Sequence, residues 1–187
     1  MMFNFSELTI KNLTLIERKL IEDNRGFFSK IFDSEVLRMV GWISPIAQIN
    51  HTYTKKIGTI RGMHYQDSPY SEAKIVNVLR GEIFDVAIDL RFNSPTFMKW
   101  HGEILSQKNN RSLLIPKGFA HGFQTLTDNV EILYFHSCEF SKEHERGLNF
   151  LDPLLSIKWP HEVSEISKKD LSHIMLDINF KGIKDEM

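Results

Sequence analysis

Two histidines, a lysine and a tyrosine stand in this 187-residue chain at places that suit proton transfer next to a carbonyl. His64 lies in the stretch Gly58-Thr59-Ile60-Arg61-Gly62-Met63-His64-Tyr65-Gln66, which has strand character on both flanks. An alternating strand sends residues i and i+2 to one face, so Gly62, His64 and Gln66 share a face. The glycines let the backbone bend and let another group approach closely. His121 is a second histidine in a glycine-flanked strand, after the turn Pro116-Lys117-Gly118. Imidazole titrates near neutrality and serves as a general base. Abstraction of a proton beside a carbonyl makes an enolate, whose oxygen needs a positive charge, and Lys74 can supply one. A proton returned to the opposite face needs a separate acid, for which Tyr134 is the candidate. Such a set inverts a stereocentre. Taken singly, His64 reads equally well as a satisfied structural histidine, Tyr134 as a core or rim tyrosine and Lys74 as a surface residue. The combination carries the chemistry.

The elements that must position these groups are mostly strands. Strand signals run over Leu13–Glu17, Phe27–Phe32, Ile46–Tyr53, the His64 stretch, Ala73–Arg80, Ile83–Leu90, Met98–Leu105, Ser112–Ile115, the residues after Pro116 and Val130–Ser137. Gly81-Glu82 joins two of them as a hairpin. Asp33–Gly41 predicts a short helix with an acidic start and a closing glycine. Ser164–Leu171 predicts the start of a C-terminal helix capped by a serine. The tail from Asn179 is polar and is expected to fray. About ten short strands with little helix indicate an all-β sandwich or barrel. With no repeat, low-complexity run or linker, the chain reads as one domain over residues 1–187.

Inward histidines on two strands of such a barrel give the layout of a cupin, the double-stranded β-helix or jelly roll. Metal-binding cupins use His-x-His, then a Glu, then a distant His. Here Gln66 takes the place of the second His and Lys74 stands about where the Glu belongs. An ammonium repels a divalent cation, and Zn, Fe or Mn want imidazole and carboxylate. We therefore expect no metal and no cofactor, with Lys74 providing the positive charge.

Composition narrows the setting. Lys+Arg number 23 against Asp+Glu 24, so no basic excess points to nucleic acid or an anionic membrane. Hydrophobic residues make up 42 % of the chain, with 14 Phe, enough for a core of pleated faces. No apolar run approaches the roughly 18 residues that span a bilayer, and Met1–Ile10 lacks the pattern of a signal peptide. The single cysteine, Cys138, excludes an intrachain disulfide and fits a reducing cytoplasm. A soluble, cytoplasmic protein is expected.

The sequence resembles the dTDP-4-dehydrorhamnose 3,5-epimerases, nucleotide-sugar epimerases of deoxysugar synthesis. The resemblance spans roughly residues 13–171 and rests on ordered motifs: Asp23–Phe28, Gln48–Asn50, Arg61–Gln66, Gly81–Arg91, Ser94–Phe97, Leu105-Ser106, Ile115–Phe123, Asp152-Pro153 and Ile157–Pro160. It implies a metal-free homodimer acting on a nucleotide-diphosphate sugar. By position, it implies that His64 is the base, Asp170 its carboxylate partner and Tyr134 the acid. Lys74 and His121 would contact the sugar and its developing oxyanion. Arg61 would hold the diphosphate by the bidentate pairing that suits Arg. Arg25 would reach the nucleotide of the neighbouring subunit. Gln48, Asn50, Glu145 and Lys169 match other ligand-contacting positions.

Three positions depart from the family pattern. Lys30 stands where a Glu near the nucleotide is usual, which leaves dTDP, CDP and GDP open. Phe140 replaces an active-site Tyr, which leaves open whether one centre or two are inverted. Phe150 replaces a common Trp. The alternatives are a single-centre epimerase or ketoisomerase, a metal-dependent cupin oxygenase disfavoured by Gln66 and Lys74, and a sugar-binding barrel without turnover.

Overall fold

A computed structural model describes residues 2–184. In chain order the elements are β1 (Phe3–Glu7), β2 (Thr14–Arg18), β3 (Ile21–Asp23), β4 (Gly26–Phe28), α1 (Ser34–Arg38), β5 (Gln48–Thr54), β6 (Thr59–Gln66) and β7 (Lys74–Arg80). They continue with β8 (Glu82–Asp89), β9 (Trp100–Ser106), β10 (Arg111–Ile115), β11 (Phe119–Thr125), β12 (Val130–His136), β13 (Glu145–Gly147), β14 (Glu165–Ile166) and α2 (Lys168–Leu171). Two sheets form, in the orders β1-β2-β10-β7-β12-β5 and β13-β6-β11-β8-β9, with β14 added in parallel to β6. All other pairings in these sheets are antiparallel. This is the jelly-roll barrel of the cupins.

The alternation of the strands explains where the core ends and the cavity begins. On β12, Val130 and Ile132 face between the sheets, and Tyr134 and His136 continue the same face two residues at a time. On β7 the matching face reads Lys74, Val76, Val78. The antiparallel register sets His136 opposite Lys74 and Tyr134 opposite Val76. The inner faces are thus apolar at one end and polar at the other. Val76, Val78, Leu113, Ile115 and Ile132 pack against Ile83, Ala87, Leu105, Phe119 and Phe123 at the apolar end. Each fully buried aliphatic side chain there contributes about 1.5–3 kcal/mol. The outer faces are covered as well. Leu37 of α1 and Trp42 beyond it lie over Ile75, Leu114 and Phe135, while Leu148, Leu155 and Leu176 lie over Val86, Ile88 and Leu90. Burial on both faces accounts for the near-continuous apolar run of Leu113–Ile115.

Several boundaries differ from the sequence reading. An edge strand, β1, pairs with β2 and had no strong signal of its own. The strand expected over Phe27–Phe32 ends at Phe28, because β4 pairs only with the three-residue β3 in a separate ribbon. The helix expected over Asp33–Gly41 is one turn shorter. Asp33 caps it by accepting from the Val36 N–H at 3.3 Å, and residues beyond Arg38 form a turn. The C-terminal helix does not start at Ser164. Glu165–Ile166 instead pairs in parallel alongside β6, and Ser167 caps the four-residue α2. The tail expected to fray from Asn179 has Phe180 against Phe97 and Ile183 bridged to Arg91 within the described part, and 185–187 lie outside the described residues. Among the described residues no helix is long and apolar enough to cross a membrane.

Candidate active site

The polar end of the barrel opens into a cavity of about 710 Å³. Ten of the residues singled out in the sequence line it: Asn50, Arg61, His64, Lys74, His121, Tyr134, Phe140, Glu145, Lys169 and Asp170. One wall is the sheet containing β6 and β11, where His64 and His121 are direct cross-strand partners. The facing wall is the sheet containing β7, β12 and β5, which carries Lys74, Tyr134 and Asn50. Asp170 comes from α2, packed beside β6.

His64 is half-buried, and its Nε2 lies 2.8 Å from Asp170 Oδ1. The other carboxylate oxygen, Oδ2, accepts the Gly62 N–H at 3.3 Å. Burial pushes the Asp170 carboxyl up, but the bond to His64, its charge and the Gly62 N–H outweigh this and hold it below its ordinary value. An ionised carboxylate only accepts, so Nε2 of His64 carries a proton, and in the neutral ring Nδ1 holds the lone pair. Ser167 positions the carboxylate: its hydroxyl accepts the Asp170 N–H at 3.0 Å as the cap of α2.

Gly62 permits the close pairing of β6 with β11. Its φ is +118°, and a Cβ there would come within 2.6 Å of the Gly122 Cα and 2.7 Å of the His121 carbonyl oxygen. His121 is in turn tied to the buried Asp85 through Nε2 at 2.7 Å. The ring of Tyr134 stands edge-on to that of His121, with centroids 6.2 Å apart. Burial pushes the Tyr134 hydroxyl up, and the Asp85 charge adds to the effect. The phenol therefore stays protonated at neutral pH.

Two residues that the sequence reading did not single out complete the wall around Lys74. Glu72 Oε1 lies 2.9 Å from the Lys74 ammonium, and Glu72 Oε2 lies 2.7 Å from His136 Nδ1. Burial pushes the Glu72 carboxyl up, yet Lys74 and His136 bring it down to about 2. The signal that could have found them is the period of two: Glu72 precedes Lys74 and His136 follows Tyr134 by two residues. A third such residue, His173, sits behind the His64–Asp170 pair. Burial and the His64 charge lower its pKa against the pull of Asp170.

The remaining expected residues spread over the rim. Lys169 pairs with Glu145 at 2.5 Å. Arg61 donates to Thr54 Oγ1 at 3.0 Å. Gln48 is outside the cavity lining but donates to Asn50 at 2.8 Å and accepts the Phe140 N–H at 3.1 Å. Two residues are not brought to the cavity of this single chain. Arg25 is exposed on the β3–β4 turn and pairs with Asp23, and Lys30 pairs with Asp33.

The barrel is of the cupin class, with histidine–carboxylate pairs on one wall of its cavity and a buried Tyr and Lys on the other. Comparison with known proteins names the branch. Residues 7–177 match the family described as dTDP-4-dehydrorhamnose 3,5-epimerase, and the chain belongs to that family of isomerases. A dTDP-4-dehydrorhamnose 3,5-epimerase from Shigella flexneri is 42 % identical over 170 residues, 90 % of this chain and 93 % of the relative. The crystal structure of dTDP-6-deoxy-D-glucose-3,5-epimerase from Legionella pneumophila, in complex with dTDP-4-keto-L-rhamnose, matches with a TM-score of 0.90 at 37 % identity, covering 99 % of both chains. A 3'-monoepimerase from Streptomyces bikiniensis in complex with dTDP-quinovose matches with a TM-score of 0.83 at 30 % identity, covering 90 % of this chain and 85 % of that one.

Proposed function

We propose that this protein inverts C3 and C5 of a dTDP-linked 4-keto-6-deoxyhexose in deoxysugar synthesis. The observation that carries the proposal is the placement of a lone-pair nitrogen and a phenol on facing walls of one cavity. Nδ1 of His64 takes the proton from the carbon beside the C4 ketone, and the electron pair moves onto the C4 oxygen. Asp170 stabilises the imidazolium formed, and the Lys74 ammonium, aimed by Glu72, faces the enolate oxygen. Tyr134 then protonates the carbon from the opposite side. C3 and C5 both flank the ketone, so the same set acts at each.

His121 contacts the sugar, and Arg61, with Lys169 and Glu145 at the rim, holds the diphosphate end. Gln48, Asn50 and Phe140 line the way to the nucleotide. Arg25 and Lys30 reach the nucleotide across a homodimer in a cytoplasmic enzyme. The test is NMR of the product formed from dTDP-4-keto-6-deoxyglucose in deuterium oxide. Deuterium at both C3 and C5 with inversion at each is expected, and a substrate recovered without deuterium would overturn the reading. The same experiment with CDP- and GDP-linked sugars decides the nucleotide, with dTDP expected to lead.

Phe140 favours a second reading, inversion at one centre, the outcome named for the S. bikiniensis protein. A phenyl ring has no donor to hold the sugar as it is turned for the second centre. Deuterium confined to one carbon at long times, restored at the other in Phe140→Tyr, would establish that reading.

A further inference from the structure

His173 has no part in the mechanism above, yet its position is built. Its N–H donates to the Asp170 carbonyl at 3.3 Å, and its own carbonyl accepts from Asn149 Nδ2 at 3.1 Å. Its ring fills the space over Gly147, where an added Cβ would come within 2.3 Å of Cε1 and Nε2. It stands edge-on to His64, with centroids 5.5 Å apart and an interplanar angle of 82°. Its Nε2 is shielded from solvent, and among the described residues nothing hydrogen-bonds to it. That atom lies 3.7 Å from Asp170 Oδ1, the same oxygen that receives His64 Nε2 at 2.8 Å. One ligand atom from each of the three residues falls within 4.8 Å of the others.

We propose that His64, Asp170 and His173 form a binding site for a divalent transition-metal ion of the zinc class, and that occupation of the site switches the base off. Two imidazoles and a carboxylate are the donors such ions prefer. A tetrahedral ion about 2.1 Å from its ligands sets them about 3.4 Å apart. The two separations at Oδ1, 2.8 and 3.7 Å, bracket that value, and the three ligand atoms all lie within 4.8 Å of one another, so side-chain adjustment alone closes the site. Three protein ligands leave a fourth position for water. The site differs from the His-x-His pattern of metal cupins, which Gln66 and Lys74 exclude.

The switch follows from proton placement and rests on the reading of His64 Nδ1 as the base. Without metal, Nε2–H donates to Asp170 and Nδ1 holds the lone pair. An ion bound at Nε2 takes the place of that proton, which moves to Nδ1. One N–H bond breaks, one forms, and the ring keeps its proton. Nδ1 is then a donor and cannot accept a proton from the sugar. The ion need not touch the substrate, because it acts from behind the ring.

The experiment uses the full chain, freed of metal by a chelator and then dialysed. Cobalt(II) is titrated while visible absorption is followed, and zinc is titrated while deuterium wash-in is followed. Wild type is expected to bind one cobalt per chain, with the intense bands of four- or five-coordination. His173→Ala and His173→Gln, checked for folding by circular dichroism, should keep exchange and bind cobalt at least ten-fold more weakly. Zinc should abolish exchange in wild type, EDTA should restore it, and both variants should need at least ten-fold more zinc. Equal cobalt affinity in wild type and both variants would overturn the site. Stoichiometric cobalt binding with undiminished exchange would overturn the switch. Loss of exchange in His64→Ala, measured without metal, tests the base assignment separately from either result.

Discussion

Glu72 lies in the cavity wall with two partners and a mostly buried side chain. Its carboxyl falls from an ordinary 4.5 to about 2 because Lys74 and His136 favour the charged form more than burial disfavours it. A carboxylate with a depressed folded-state pKa stabilises the fold fully above its unfolded value. That stability is lost as pH falls from about 4.5 through about 2. The shift corresponds to something on the order of 3 kcal/mol. Urea midpoints for wild type should therefore fall steeply across that window, and Glu72→Gln should be less stable at pH 7 with a shallower slope below pH 4.5. Parallel curves would show that Glu72 is not the titrating group. Base and acid separate at the same scale. His64→Ala should cost exchange about 10²–10⁴-fold. Tyr134→Phe should keep exchange and lose most inversion, because the base survives and the opposite-face acid does not. Equal loss of both in Tyr134→Phe would remove it from that role.

Two elements decide whether the base is in place, β6 and α2. Gly62 brings β6 against β11 with a positive φ, and a methyl group there meets backbone rather than flexible side chain. Gly62→Ala should cost about 1–3 kcal/mol from the conformation alone and lower the melting temperature together with exchange. Ser167→Ala should act differently. Loss of the α2 cap costs about 1 kcal/mol and loosens Asp170, so exchange should fall while the melting temperature moves little. A variant with unchanged kcat would show that β6 alone orients the carboxylate. The same elements mark what was legible in the sequence. Strand β8 announces itself through alternation, and β7, β11 and β12 through β-branched and aromatic runs bounded by turn residues. The pairing of Asp170 with His64 spans 106 residues and has no local signature, so only the family resemblance pointed to it. The period of two puts Glu72 on the side of Lys74 and His136 on the side of Tyr134, but their meeting at Lys74 depends on the long-range register that sets His136 against Lys74. The short β1 lies at a sheet edge, where partial burial leaves a faint pattern.

At the scale of the whole molecule, apolar side chains such as Ile43, Leu151 and Ile174 are exposed singly, whereas the β3–β4 ribbon gathers three of them on one small element. Ile21, Phe27 and Phe28 are more than half exposed, and among the described residues the two strands pair only with each other. An isolated two-stranded hairpin is marginal in water, and three large apolar side chains on it call for a covering surface. The proposed homodimer supplies one, and it explains why Arg25, at the tip of the ribbon, lies away from the cavity of its own chain. Two consequences follow if the ribbon of one subunit lies against the other. Phe27→Asp with Phe28→Asp should yield a monomer by sedimentation, with dTDP affinity reduced more than ten-fold although the cavity residues are intact. Arg25→Ala should leave the dimer whole and weaken dTDP binding measurably, through the loss of a hydrogen bond to a charged group. Calorimetry on both variants separates assembly from contact. A monomeric double variant with wild-type affinity would show that each cavity binds its nucleotide unaided, and that Arg25 and the ribbon serve some other surface.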